Sequence, residues 1–173
     1  IDNLQWKVAG INHMGWLLEI SQNGEDLYPE IKRRAEAKNQ EARQEGAEKH
    51  PDMIRYEMMK HFGYYNTESS EHTAEYHPYF IKSQFPGLID EFNIPLDEYP
   101  RRCVNQIEKW KTQREELVGN PEATHSRTHE YGSYIMEAIC TDNAIEIGGN
   151  VINNGLISNL PADAIVEVPC LVN

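Results

Sequence analysis

The sequence has few positive charges and no long apolar run. Its 173 residues contain 16 Lys and Arg against 28 Asp and Glu, which gives a formal net charge of -12 at pH 7. Because an acidic protein repels nucleic-acid phosphates and anionic lipid headgroups, we expect neither nucleic acid nor a membrane surface as a partner. No run of about 18 apolar residues occurs, so no transmembrane helix is predicted.

Cysteine is also scarce. Cys103, Cys140 and Cys170 are far apart and form no Cys-x-x-Cys or Cys/His zinc pattern. An odd number of separated cysteines favours reduced thiols and a cytoplasmic protein. Cys140 follows the largely apolar residues 134–139, which predicts a small buried side chain rather than a reactive thiol.

The chain has neither an initiator Met nor a leader-like segment. It opens at Ile1 without a basic or apolar leader, and it closes in the apolar run 165–172. We interpret it as a segment of a longer protein. Its length fits one ordinary domain.

The apolar pattern predicts strands at both ends of the chain and helices between them. Residues 6–20 read as two strands separated by the polar pair Asn12-His13. Helices are predicted over residues 26–49, from Pro51 onward, over 100–118 and over 130–140. Strands are expected at 144–147, 151–156 and 165–172, with a Gly/Asn-rich turn after the first of them. This arrangement predicts an α+β fold.

Two segments combine residue types that are typical of ligand sites. A neutral imidazole at a strand end, as at Asn12-His13, is the commonest transition-metal ligand, although a hydrogen-bonded core histidine is the alternative. Residues 64–76 hold three carboxylates, an imidazole, hydroxyls and three tyrosines. Such a mixture suits a sugar, whose hydroxyls bind polar groups and whose ring faces pack on aromatics. A polar loop that opens a helix, with Ser69 or Ser70 as N-cap, is the alternative.

Two further polar segments carry weaker signals. In residues 125–132, His125 and His129 would share a face of a helix, and Arg127 could clamp an anion. A polar helix start explains the same residues. Residues 148–155 lack Gly-x-Gly-x-x-Gly, so they predict tight turns rather than a phosphate cradle.

Taken together, these segments resemble glycoside hydrolase family 4, the NAD- and divalent-metal-dependent glycosidases. The matching stretches occur in the family's order over nearly the whole chain. They are Ala9-Gly10-Ile11-Asn12-His13-Met14, Phe62-Gly63-Tyr64, Thr67-Glu68-Ser69-Ser70-Glu71-His72, Ala74-Glu75-Tyr76, His129-Glu130-Tyr131-Gly132-Ser133, Gly149-Asn150-Val151, Asn159-Leu160-Pro161 and Val166-Glu167-Val168-Pro169.

The resemblance implies a reaction that differs from two-carboxylate hydrolysis. In this family NAD takes hydride from C3 of the sugar, a base removes the acidified C2 proton, and the aglycone leaves by elimination. A Mn²⁺-type cation binds the C2 and C3 oxygens. Carried over by motif, His13 is the metal ligand, Tyr76 the C2 base, and the substrate-binding residues are Asn12, Glu68, His72 and Arg127.

The sequence of residues 67–76 resembles the α-galactosidase and α-uronidase branch of the family. This resemblance implies an α-glycoside substrate, with an α-galactoside preferred. The implied fold is the family's C-terminal substrate domain, which is similar to the C-terminal domain of lactate dehydrogenase. The resemblance also implies a homo-oligomer, either a dimer or a tetramer.

The family's N-terminal Rossmann domain is absent from these residues, together with its glycine-rich NAD fingerprint and the cysteine that joins the histidine at the metal. We therefore expect residues 1–173 to form a partial C-terminal substrate- and metal-binding domain that is inactive alone. One alternative is a non-catalytic carbohydrate-binding or assembly module. Another is a metal-dependent hydrolase that uses His13, His72, His125 and His129.

Overall fold

In the computed structural model, the structure describes residues 3–120 and 126–173. Strands and helices are mixed there, which confirms the predicted α+β class. The strands are β1 (Leu4–Ile11), β2 (Met14–Gln22), β3 (Glu25–Asp26), β4 (Tyr65–Asn66), β5 (Ile145–Ile152) and β6 (Ile165–Val172). The helices are α1 (Tyr28–Ala42), α2 (Met53–Phe62), α3 (Ser70–Tyr76), α4 (Gly87–Glu91), α5 (Glu98–Gly119) and α6 (Tyr131–Thr141).

The six strands form one antiparallel sheet that joins the two ends of the chain. The strand order is β3-β2-β1-β6-β5, and β4 also pairs with β2. Gly10 of β1 pairs with Gly15 of β2 on one side and with Glu167 of β6 on the other. Residues that are distant in sequence therefore meet close to the turn between β1 and β2.

That turn is a tight hairpin formed by Asn12 and His13. Ile11 pairs with Met14, so only these two residues connect the strands. His13 has φ of 67°, a left-handed conformation that short loops between twisted strands require. A Cβ atom on Gly10, where φ is 151°, would lie 2.4 Å from the Met14 carbonyl oxygen, so glycine is needed there. The hairpin thus presents His13 at the edge of the fold where β4 ends.

The hydrophobic core lies beside β2 and β4, under α1 and α2. Met53, Ile54 and Met58 of α2 are almost completely buried and pack with Ala74, Phe80 and Phe92. Tyr28 and Ala35 of α1 form a second cluster with Met59. Helix α1 ends at Ala42, so the predicted extension to residue 49 is wrong. The chain turns at residues 43–47, where Gly46 takes φ of 78°.

The long helix α5 confirms the prediction over residues 100–118 but lies apart from this core. None of its 22 residues is buried. Its apolar side chains are exposed instead: Val104, Ile107 and Trp110 follow one another at spacings of three, and Leu117 and Val118 lie two turns further along the helix. The periodic pattern therefore gave the helix correctly, whereas the apolar face that it predicts does not pack against the described residues.

Helix α6 and the strands β5 and β6 correct two further predictions. Ala138 is buried on α6, but Cys140 is exposed, because residues two positions apart point to nearly opposite sides of a helix. Strand β5 continues through Gly148 and Gly149, so the turn predicted there is wrong. A Cβ atom on Gly149 would lie 2.8 Å from Cys170 Sγ, so this glycine makes room for a side chain on β6. The turn comes later, at Asn154 and Gly155, which both have positive φ.

Among the described residues, no helix combines the length and the apolar character needed to cross a bilayer.

Candidate metal and sugar site

Three potential metal ligands from separate elements converge at the end of the β1–β2 hairpin. They are His13 in the hairpin turn, Glu68 just before α3, and His72 in the first turns of α3. One ligand atom from each residue lies within 4.8 Å of the others. We refer to these three residues as the metal group. The sequence separation of His13 and Glu68 is 55 residues, so only the fold brings them together.

The buried side chain of Asn66 fixes the segment that carries Glu68. Its amide nitrogen donates to the Gly15 carbonyl at 3.2 Å, and its oxygen accepts from the Glu68 N–H at 3.0 Å. The same oxygen accepts from the Thr73 hydroxyl at 2.9 Å. Because Asn66 is fully buried, these bonds tie α3 to β2 in a fixed position.

The start of α3 is fixed by an N-cap, as one of the two sequence interpretations expects. Ser69 adopts an extended conformation, and its hydroxyl accepts from the His72 N–H at 3.4 Å. Glu68 and His72 stand four residues apart, so their side chains meet on one side of the first turn. The cap therefore sets the position of the imidazole relative to the carboxylate.

The carboxylate of Glu68 contacts both imidazoles. One oxygen contacts Nδ1 of His13, and the other lies 3.0 Å from Nδ1 of His72. The second contact is close enough for an ion pair but lacks hydrogen-bond alignment, so Nδ1 of His72 is buried without a hydrogen-bond partner. The backbone N–H of Ser69 also donates to this carboxylate, at 2.9 Å.

These contacts change the protonation behaviour of the group. Burial acts to raise the pKa of the Glu68 carboxyl. The Ser69 N–H and the two imidazoles act in the opposite direction and lower this pKa to about 2. The carboxylate in turn raises the pKa of His72. Glu68 is therefore a permanent anion at neutral pH, available to a cation.

Tyr76 packs directly on the metal group. Its ring stacks on His13 with centroids 5.2 Å apart and an interplanar angle of 15°, and 54% of the residue is exposed. The His13 and His72 rings meet edge to face at 5.2 Å. Asn12 lies in the same hairpin turn, where its side-chain oxygen accepts from the His13 N–H at 3.0 Å. Five of the six predicted site residues thus lie together.

The metal group suits a divalent transition-metal cation. Two imidazoles and one carboxylate are the donor types that bind Fe²⁺ and Mn²⁺. Nδ1 of His72 is buried with only the Glu68 carboxylate beside it and without an aligned hydrogen bond, so it is a donor that a bound cation would satisfy. The residues present therefore fit the metal that the sequence resemblance implies.

An acidic cavity of about 250 Å³ adjoins the metal group between α3 and the start of α5. Glu71, His72 and Glu75 line one side, and the opposite side is mostly apolar, including Leu96 and Tyr99. Its one lysine or arginine, Arg102, pairs with Glu98 of the same helix at 2.9 Å. The cavity therefore has carboxylates in excess and no unpaired cation among its lining residues.

Arg127, the sixth predicted site residue, lies just before α6 and has other contacts. Its guanidinium stacks over the Tyr134 ring at 3.5 Å, donates to the Ser133 hydroxyl at 2.9 Å and pairs with Glu137. His129 also precedes α6 and is exposed. His125 lies outside the described residues, but residues 126–130 are not helical, so the expected pairing of the two histidines on one helix face is wrong.

The resemblance placed Glu68 and His72 with the sugar, and only the alternative of a metal-dependent hydrolase grouped His72 with His13. Their spacing of four residues at a capped helix start was the available signal, because it puts a carboxylate and an imidazole side by side. Nothing local to residues 68–72 indicated that His13 would join them.

Comparison with known proteins gives consistent matches over the whole chain. Residues 8–173 match the Family 4 glycosyl hydrolase C-terminal domain. An α-galactosidase of Bacillus subtilis (strain 168) is 57% identical over 172 residues, which are 99% of this chain and 38% of that protein. The crystal structure of lplD from Bacillus subtilis has a TM-score of 0.79 at 20% identity, covering 99% of this chain and 40% of its own.

A second solved structure is that of a 6-phospho-α-glucosidase from gut microorganisms in complex with NAD and Mn²⁺. It has a TM-score of 0.57 at 22% identity and covers 99% of this chain and 40% of its own. The chain therefore spans well under half the length of the relatives that it matches.

Proposed function

The chain belongs to the family 4 glycosyl hydrolases, where it corresponds to the C-terminal domain, and from this premise we propose that the full-length protein is an α-galactosidase that uses NAD and Mn²⁺. Residues 1–173 supply its substrate- and metal-binding part, and the cofactor domain lies outside them. The observation that carries the proposal is the convergence of His13, Glu68 and His72 beneath Tyr76. The 57% identity to an α-galactosidase supports the substrate class.

His13, Glu68 and His72 are the residues of this chain that would hold the metal. When bound, Mn²⁺ supplies a Lewis acid for the sugar oxygens, and NAD supplies the hydride acceptor. Glu68 orients both imidazoles through its two oxygens, so the three donors are already close together. Asn12, beside His13, offers a carboxamide to a sugar hydroxyl.

Tyr76 is the residue that we place at the proton on C2. Its oxygen would accept this proton in the phenolate form and become the neutral phenol, and its ring is held by the stack on His13. The half-exposed position of Tyr76 leaves its hydroxyl open to a substrate. The stack on His13 therefore places Tyr76, the proposed acceptor of the proton, directly beside the metal group.

The charge of the adjoining cavity favours an uncharged sugar over a uronide or a phosphorylated sugar. A carboxylate or phosphate on the substrate calls for a fixed cation, and a bidentate arginine suits it best. Arg102 and Arg127 are both paired with carboxylates of their own neighbourhood. Glu71 and Glu75 would repel an anionic substrate, so the α-galactoside is preferred. A role for Arg127 in substrate binding stays a prediction.

The exposed apolar face of α5 supports a homo-oligomer of the full-length protein. Ile107, Trp110 and Leu117 are each about half exposed or more on one helix, and contiguous apolar patches of this kind mark interaction surfaces. We place the second copy on this face. The three unpaired cysteines agree with a cytoplasmic enzyme.

The test is a cofactor-dependence assay on the full-length protein after its metal has been removed with a chelator. We expect hydrolysis of an α-galactoside only when NAD and Mn²⁺ are both restored, and little turnover of the matching galacturonide or of a 6-phospho-glucoside. The purified 173-residue chain should not turn over any of them.

Hydrolysis in the presence of chelator without NAD would contradict the proposal. Binding of galactose without any turnover under all conditions would favour the carbohydrate-binding module instead.

A further inference from the structure

Glu167 is an acidic residue in the middle of the sheet that the proposed reaction leaves without a role. It lies on β6, paired with Gly10 of β1 on one side and with Asn150 of β5 on the other. Gly10 in turn pairs with Gly15, and the Gly15 carbonyl accepts from the Thr67 N–H at 3.0 Å. A single row across the sheet thus connects Glu167 to Thr67, the residue before Glu68.

Gly15 in this row, and Gly148 two residues before Asn150 on β5, leave space that the Glu167 carboxylate fills. A Cβ atom on Gly15 would lie 3.5 Å from Oε2 of Glu167 and 2.7 Å from Oγ1 of Thr67. A Cβ atom on Gly148 would lie 3.1 Å from Oε1 of Glu167. The side chain therefore lies along the sheet, with Oε2 beside Gly15 and Oε1 beside Gly148.

This carboxylate is partly buried and unpaired. Within residues 3–120 and 126–173, no group donates a hydrogen bond to it and no Lys, Arg or His lies within ion-pair distance. Its two oxygens are not among the buried side-chain atoms that lack a partner, so they keep contact with solvent. The arrangement leaves an acceptor-only group accessible to a donor that is not part of these residues.

We propose that Glu167 is a further substrate-binding residue, whose carboxylate accepts hydrogen bonds from hydroxyl groups of the sugar held at the metal group. The inference rests on the proposed function and extends it to a part of the chain 99 residues beyond Glu68. A carboxylate that binds hydroxyls also repels carboxylate and phosphate groups. Glu167 therefore adds to the preference for an uncharged sugar.

The test uses the full-length protein loaded with NAD and Mn²⁺, and the probe is galactose. Its dissociation constant is measured by calorimetry, so the readout does not depend on turnover. We expect Glu167→Gln to weaken galactose binding by about 10- to 100-fold, because hydrogen bonds to charged groups are among the stronger ones. Glu146→Gln on β5 is the matched control, since Glu146 is an exposed carboxylate on the neighbouring strand, and it should change binding less than about twofold.

A second variant and a second readout keep the result decisive. Glu167→Asp retains the charge and should lose less affinity than Glu167→Gln. The Mn²⁺ affinity and melting temperature of both variants should match those of the parent protein. Equal galactose affinity in Glu167→Gln and Glu146→Gln would overturn the inference, and so would a loss of Mn²⁺ affinity as large as the loss of galactose affinity. Failure of the parent protein to bind galactose would instead count against the proposed function.

Discussion

The region that carries the metal group and the region formed by α5 and α6 are built differently. Residues 4–94 enclose a core in which Met53 and Ile54 are at most 1% exposed. Helix α5 buries none of its residues and α6 buries only Ala138. Most helical stability in proteins comes from packing of an apolar face, and the apolar side chains of α5 are exposed instead. The comparison teaches that the site is held by contacts within this chain, whereas α5 and α6 offer apolar faces for other contacts.

The largest expected effect comes from replacing one isoleucine in each region with alanine. Ile54→Ala should lower the free energy of opening of α2 by about 2–5 kcal/mol, because it leaves a cavity in the core. Ile107→Ala should change the same quantity by less than about 0.5 kcal/mol. Hydrogen exchange of the α2 amides in the full-length protein measures both.

In the same experiment, Ile107→Ala should weaken self-association, as followed by sedimentation. The comparison fails if Ile107→Ala destabilises α2 as much as Ile54→Ala does.

Asn153 extends the comparison to the β5–β6 connection, which is held by polar contacts rather than by a core. Its fully buried amide donates to the carbonyls of Ile157, Leu160 and Pro161 and accepts from the Ile157 N–H at 2.7 Å. Asn153→Ala should cost about 1–3 kcal/mol, because it leaves buried groups unpaired.

Hydrogen exchange of the β5 and β6 amides is the measurement for Asn153→Ala, with Asn143→Ala, at an exposed position, as the control. Similar protection of these amides in the two variants would show that the connection does not depend on this amide.

The N-cap of α3 gives a smaller effect within the site region. Ser69→Ala should cost about 1 kcal/mol, since the hydroxyl satisfies an otherwise free N–H of the first turn. It should also lower Mn²⁺ affinity slightly, because that N–H belongs to His72. Ser69→Asp keeps an acceptor and should retain the parent's stability. If Ser69→Ala were as stable as Ser69→Asp, the Ser69 side chain would not stabilise α3 as an N-cap.

A pH dependence from the partly buried Tyr65 has no effect at neutral pH and appears only in alkali. Burial raises the pKa of Tyr65 to about 12, from an ordinary value of 10.0. The contribution of Tyr65 to stability is therefore complete below pH 10 and is lost as the pH rises towards 12, because the unfolded chain ionises first. Tyr65→Phe should lose less stability than the parent between these pH values, as followed by urea denaturation. Parallel pH profiles would contradict the burial of this phenol.

Local patterns predicted the elements that depend on neighbouring residues in sequence. The hairpin at Asn12-His13, the cap at Ser69 and the periodicity of α5 all depend on contacts between residues a few positions apart. Gly148 and Gly149 led to the wrong prediction of a turn. Glycine is needed at these positions because the side chains of Glu167 and Cys170 on β6 occupy the space that a Cβ atom would fill. A glycine that serves the next strand has the same local signature as a glycine in a turn.

The site was predicted in part, through resemblance rather than through spacing. Asn12, His13, Glu68, His72 and Tyr76 were all named from motifs, and the fold brings them together. The closeness of His13 to Glu68 and His72 depends on Asn66, which pins α3 to β2 through side-chain bonds that no sequence period reveals. Glu167 lay in the matching stretch Val166-Glu167-Val168-Pro169, but the motif assigned it no role, because its surroundings depend on glycines in two other strands.

The most direct test of the metal group is a Mn²⁺ titration of the chelator-treated full-length protein, followed by electron paramagnetic resonance. Glu68→Gln keeps the size of the side chain but removes the charge that contacts both imidazoles, and His129→Asn controls for a histidine outside the group. We predict that Glu68→Gln weakens Mn²⁺ binding by about 10- to 100-fold, that His13→Ala weakens it further, and that His129→Asn leaves it unchanged. Equal Mn²⁺ affinity in the parent protein and in Glu68→Gln would contradict the account.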